Sequence, residues 1–357
     1  MITEATSIDP TPAQIAELDD TFFGSDPLGY FRSRIQSLLH EPVDQGRDAE
    51  RFGTLLGEAA PDWADVSDAG RQLQRAVDAF AVRHHAAEAV IRLLGALNTA
   101  GPESSVWITI TEGPTRAVQV VESINTWLSS APEQLSALLL PAGLLARLED
   151  DDVVQLSVYN AWLWIEYAGK LLTWDDLDIN AAHNKVKHGL AVRARDDERI
   201  DFIPIATGDD SIDVSGGTVP LSVMEGAIPI FDKPLVEYLS RPPKVDGHRQ
   251  GLEVSTLQLD APTLLAEAWM IARVYACLFA VAGAGRSETA REYEAFPGQP
   301  SPVAVFPMEA VVGMRHPVTL PPGGGQLTRT SGIAFNGRFV GTTFDMRSRA
   351  TVTVVEG

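Results

Sequence analysis

LLAEAWMIARVYACLFAVAGAG, Leu264 to Gly285, is the most apolar run in the chain, and its reading decides the class of fold. A bilayer-spanning helix needs about 20 apolar residues, so this run is long enough by length alone. Glu267 and Arg273 argue against that use, because each would cost roughly 2–3 kcal/mol at mid-membrane. The run is therefore read as the core helix of a folded protein, started by Asp260-Ala261-Pro262.

A core helix needs neighbours, and the chain supplies several. Leu73, Val77, Phe80, His84, Ala87, Ile91 and Leu94 recur at alternating spacings of four and three, which predicts a long helix ending near Gly101. VVQLSVYNAWLWIEYAGKLL, following Asp151-Asp152, is apolar nearly all round and reads as a helix buried in a bundle. Asp26-Pro27 marks another helix start, and VWITI at 106–110 reads as a short strand. Beyond Arg195 the texture changes to short β-rich runs, RIDFIPIA, SIDVSGGTVPL and LEVSTLQLD, with Ser215-Gly216-Gly217 as a hairpin turn. RFVGTTFDM and RATVTVVEG near the end are again strand-like. The expected fold class is α+β, a mainly helical bundle with a β-rich insertion and a β-rich C-terminal segment. The expected organisation is an acidic helical segment at 1–66, a bundle at 67–197, the β-rich insertion at 198–259, the returning core helix at 260–299 and the β-rich segment at 300–357.

The chain has 357 residues with 48 acids against 28 Lys and Arg, a formal charge of −20. Such a balance disfavours diffuse attraction to nucleic acid or anionic membrane, so any contact with RNA or a nucleotide must be local and no membrane partner is expected. The start, MITEATSIDPTPAQIAELDD, lacks the basic and apolar regions of a secretory signal, and Cys277 is the one cysteine. Both facts fit a cytoplasmic location and exclude an intramolecular disulfide framework.

The local exception to the acidity is HNKVKHGL, His183 to Leu190, in a stretch without any acid from Ala181 to Arg195. A helix starting within TWDDLDIN and running to about Arg195 places acids at its N-terminus and arginines at its C-terminus, as the macrodipole favours. On that helix Ile179, Ala182, Val186 and Leu190 form one apolar face, while Asn184 and His188 lie one turn apart on another side.

His183-Asn184-Lys185-Val186-Lys187-His188 resembles the motif of the HEPN superfamily of small helical-bundle proteins, in which an Arg, usually followed by a polar residue, precedes a His on a helix at a dimer interface. Many members are metal-independent ribonucleases. The resemblance implies that His188 acts as general base or acid on the ribose hydroxyl and that Asn184 helps to hold the scissile phosphate. His183 stands where the family has Arg and would have to be protonated to serve, since imidazole lacks the permanent charge and bidentate fork of a guanidinium. Lys187 supplies part of the missing charge. The resemblance further implies a homodimer and RNA or a nucleotide as ligand, with the bundle at 67–195.

Other readings stay open. The chain also fits a non-enzymatic interaction protein that binds a protein partner through its β-rich regions and the basic helix face, and His183 and His188 also fit a helix-packing or capping role. Arg83-His84-His85 with Glu88 puts His84 and Glu88 one turn apart, but two ligands do not close a metal site, and His84 on the apolar seam reads as a hydrogen-bonded core histidine. PPGGGQLTRTSG from Pro321 reads as a turn between strands, and the glycines of GAGRSET from Gly283 read as a helix C-cap. No cofactor-binding or metal-ligating pattern is evident.

Overall fold

A computed structural model describes residues 9–39, 67–101, 103–114, 116–131, 133–188, 192–195, 200–202, 211–214, 217–220, 228–231, 233–245, 247–292, 294, 296, 300–305, 310–325, 329–336 and 338–341. The fold is α+β and dominated by helix. The chain divides into two compact units, one helical and one built on an antiparallel sheet.

The helical unit holds eleven described helices: α1 (Pro12–Phe23), α2 (Gly29–Leu39), α3 (Asp68–Thr99), α4 (Val106–Glu112), α5 (Ala117–Ser130), α6 (Glu133–Leu139), α7 (Ala142–Leu145), α8 (Asp152–Thr173), α9 (Ile179–Lys187), α10 (Ala261–Ala284) and α11 (Pro302–Val305). Their starts follow from capping chemistry. Thr11 and Gln14 form a reciprocal capping box on α1, the Ser67 hydroxyl accepts from Gly70 N–H on α3, and the Asp151 carboxylate accepts from Val153 and Val154 N–H on α8. The Leu264 run is α10, capped at its end by Gly285, and it packs most extensively on α3. It is the one described helix long and apolar enough to cross a membrane, and most of it is buried against its neighbours.

Glu267 of α10, fully buried, receives the Arg83 guanidinium of α3 at 2.8 Å and the Tyr167 hydroxyl of α8 at 2.9 Å. The three central helices thus share one buried polar network inside an otherwise apolar core. Its members satisfy one another, as the low-dielectric interior demands.

Three readings from sequence are corrected. VWITI is helical, not a strand: Asp19 of α1 accepts from the Ser105 hydroxyl at 2.6 Å and from Val106 N–H at 3.1 Å, which anchors the first turn of α4. Helix α9 ends at Lys187, not near Arg195, and Val192–Arg195 is strand β1. Helix α8 is not buried all round, because Val153, Leu156, Tyr159 and Trp162 are exposed.

The second unit carries β1, β2 (Ile200–Phe202), β3 (Ser211–Val214), β4 (Gly217–Pro220), β5 (Ile228–Phe231), β6 (Leu235–Ser240), β7 (Glu253–Gln258), β8 (Val311–Pro317), β9 (Gly332–Phe335) and β10 (Phe339–Gly341). Six strands form an antiparallel sheet in the order β1-β6-β7-β8-β9-β10, and β2-β5 and β3-β4 are separate pairs. The pairing of Val214 with Gly217 makes β3 and β4 a hairpin, as the Ser-Gly-Gly signal suggests. The PPGGG patch is a turn between β8 and β9 in which Gly323 and Gly324 take positive φ, a conformation that favours glycine. RATVTVVEG lies outside the described residues. Within this unit Arg315 and Arg329 converge on the Asp175–Asp178 segment and on Glu253. Arg315 donates to Asp176 O at 2.9 Å, and Arg329 donates to Asp175 O at 2.7 Å and to both Glu253 oxygens at 3.1 Å.

Candidate functional site

Helix α9 is short, and its two sides are chemically different. Ile179, Ala182 and His183, at spacings of three and four, turn inward and are buried. Asn184, Lys187 and His188 are exposed, and His188 N–H donates to Asn184 O at 3.2 Å. The spacing in HNKVKH thus brings three of the four candidate residues to the surface and separates His183 from them.

His183 is only 1% exposed, and neither of its ring nitrogens has a hydrogen-bond partner. Its ring stacks on His84 of α3 with centroids 3.9 Å apart and planes 24° from parallel, and it meets His85 edge-on at 5.1 Å. Burial, followed by the neighbouring His85, Lys187, Arg83 and His188, drives its pKa down to about 3. A neutral imidazole in this position does not replace the Arg of the resembled motif. Its burial sets His183 apart from the other three candidate residues.

His84 is the hydrogen-bonded core histidine expected from its seam position, and its partner is Asn180 of α9, at 3.1 Å to the side-chain oxygen. Burial, then His183 and Arg83, hold its pKa well below the ordinary value. Among the described residues no group of three His, Cys, Asp or Glu is placed to hold a metal ion.

Around the exposed edge of α9 lie groups that motif reading passes over. The Tyr30 hydroxyl of α2 sits 3.2 Å from His85 Nδ1. Arg34 of α2 and Lys187 of α9 are both close enough to His85 to lower its pKa further, after burial, while Glu88 opposes them. Composition offered one signal for this cluster: α2 bears Arg34, one of only four arginines in the acidic first 66 residues.

A pocket of about 560 Å³ lies elsewhere in the helical unit, beside Asp26, Arg32, Arg273, Arg291, Glu292 and Glu294. Its lining mixes both signs of charge, with Arg273 on Glu294 at 2.7 Å and Arg32 facing Asp26 at 4.0 Å, so it offers no clear preference for an anion or a cation.

Comparison with protein-family models, with curated proteins and with solved structures gives no match.

Proposed function

We propose that this chain binds RNA or a nucleotide at the exposed end of α9, on a HEPN-like helical core. Asn184 and Lys187 hold phosphate, and His188 faces the ribose. The observation that supports this reading is the joint exposure of these three side chains on one turn, in a stretch free of acids on a protein of charge −20. Phosphate recognition needs donors and local positive charge, which Asn184 and Lys187 supply. In-line transesterification needs a base, an acid and charge neutralisation, and with His183 neutral only Lys187 of the four is a permanent cation. Binding is therefore the primary activity, and strand cleavage would rest on His188.

The test is incubation of a labelled mixed-sequence RNA with the protein and with His188→Ala, both in chelator, scoring retention and product ends. Retention of intact RNA supports binding. Cleavage by the unsubstituted protein alone, leaving cyclic phosphate ends, makes His188 catalytic. If RNA is neither retained nor cut, the reading is wrong.

The exposed apolar side chains of α8 favour a second reading, an interaction protein whose partner is another copy of this chain. Leu156, Tyr159 and Trp162 share its outer face, and Tyr159 is 55% exposed with its ring 6.0 Å from Trp162. Asp152 and Lys170 lie about five turns apart on the same side, so an antiparallel pairing of two α8 helices sets opposite charges against each other.

A further inference from the structure

We infer that Tyr30 completes the α9 site as a stacking platform for an unpaired base, which makes single-stranded RNA the preferred ligand. The inference rests on the reading of α9 as an RNA-contacting edge and adds to it a second element and a strand preference.

Tyr30 is 50% exposed, which is unremarkable for a single surface aromatic. Its fixation from two sides is what points to a use. Its neighbour Phe31 is buried, and the two rings meet edge-to-face at 5.2 Å and 79°. The hydroxyl end is held by His85 Nδ1 at 3.2 Å. An exposed ring that is anchored at its edge and its tip loses little freedom when a flat ligand settles on its face.

The charges around it match a nucleic-acid strand. His85, which the Tyr30 hydroxyl contacts at 3.2 Å, also feels the charges of Arg34 of α2, Lys187 of α9 and Glu88, so cations from both helices lie in the neighbourhood of the residue that holds the ring. Cationic side chains that track a backbone, interleaved with an aromatic face that takes a base, are the parts of a single-strand site. A duplex keeps its bases stacked internally and offers only phosphates and the 2′-hydroxyl edge, so it engages Lys187 and Arg34 but not the Tyr30 face. The strong overall negative charge disfavours diffuse attraction of nucleic acid, so binding depends on local clusters such as this one.

The test is fluorescence anisotropy with a labelled mixed-sequence single-stranded RNA of 12 nucleotides and a 12-base-pair RNA duplex, using the full chain and the variants Tyr30→Ala, Tyr30→Trp and Lys187→Ala, each checked for native helix content. The expected result is tighter binding of the single strand. Tyr30→Ala should weaken single-strand binding by roughly 5- to 150-fold, the range for losing one stacked base, without changing duplex binding. Tyr30→Trp should restore it, and Lys187→Ala should weaken both ligands. Single-strand binding that survives Tyr30→Ala but falls with Lys187→Ala overturns the role of Tyr30 and leaves the α9 reading standing. Absence of binding to either RNA overturns the α9 reading itself, and the inference with it.

Discussion

His183 lies face to face with His84, ring centroids 3.9 Å apart, and neither nitrogen of His183 finds a hydrogen-bond partner. Two neutral imidazoles are thereby packed as flat apolar bodies between α3 and α9. The stack accounts for the two-sided character of α9, since the residue that holds the helix down cannot also face solvent.

Stability should depend on pH through this stack. His183 has a folded pKa of about 3 against an ordinary value near 6.5, so between those limits the unfolded chain binds more protons. Stability is then full above pH 6.5 and is lost as pH falls towards 3, with a slope from this group of up to about 1.4 kcal/mol per pH unit. His84, also depressed, adds in the same direction. Urea unfolding from pH 7.5 to 4 should show the loss, and His183→Leu should lessen it, leaving the part due to His84. A variant with the same slope as the unsubstituted protein would contradict the assignment.

The Arg83–Glu267 pair should behave as a buried ion pair. Glu267→Ala leaves a guanidinium uncompensated in the core and is expected to cost about 3–5 kcal/mol. The double variant Arg83→Met with Glu267→Leu should recover much of that loss, because no charge is left buried. Urea midpoints for both variants decide the matter, and a double variant as unstable as Glu267→Ala would show that the network contributes more than its charges.

Much of this architecture was legible in the sequence. The helices α3, α8 and α10 announce themselves through periodicity, caps and apolar length, and the lone Ser-Gly-Gly signal locates the β3-β4 hairpin. The failures share a cause. VWITI has strong strand propensity, and it is helical where its N-cap Ser105 is itself held by Asp19, which also accepts from Val106 N–H from 87 residues away. His183 looks like a site residue by composition, and it is buried because His84 and His85 of α3 receive it, which no local pattern encodes. Tyr30 belongs to no motif and is linked towards α9 by its contact with His85.

In the sheet unit, Gly313 of β8 is required by close approach rather than by an unusual φ. A Cβ there would sit 2.2 Å from the Thr256 carbonyl oxygen and 3.1 Å from Leu177. Gly313→Ala must push β8 off β7, and a loss of about 1–3 kcal/mol is expected from such overpacking. Calorimetry should show the change, and an unchanged unfolding transition would contradict the register of Leu257 with Gly313.

The exposed face of α8 predicts a mass near twice 38.5 kDa by light scattering at micromolar concentration. Tyr159→Asp, which sets like charges against each other in an antiparallel pair, should return the chain to a single copy. A monomer at all concentrations removes the second reading.

The most direct test of the division of α9 into a buried, neutral half and an exposed, cationic half is the salt dependence of RNA binding by Lys187→Ala and His183→Leu. The expected result is weaker binding by Lys187→Ala, with the slope of log affinity against log salt reduced by about 1, and no change in slope for His183→Leu. Loss of the slope in His183→Leu with none in Lys187→Ala would mean that His183 meets the phosphate, and that the burial of its ring does not describe the RNA-bound protein.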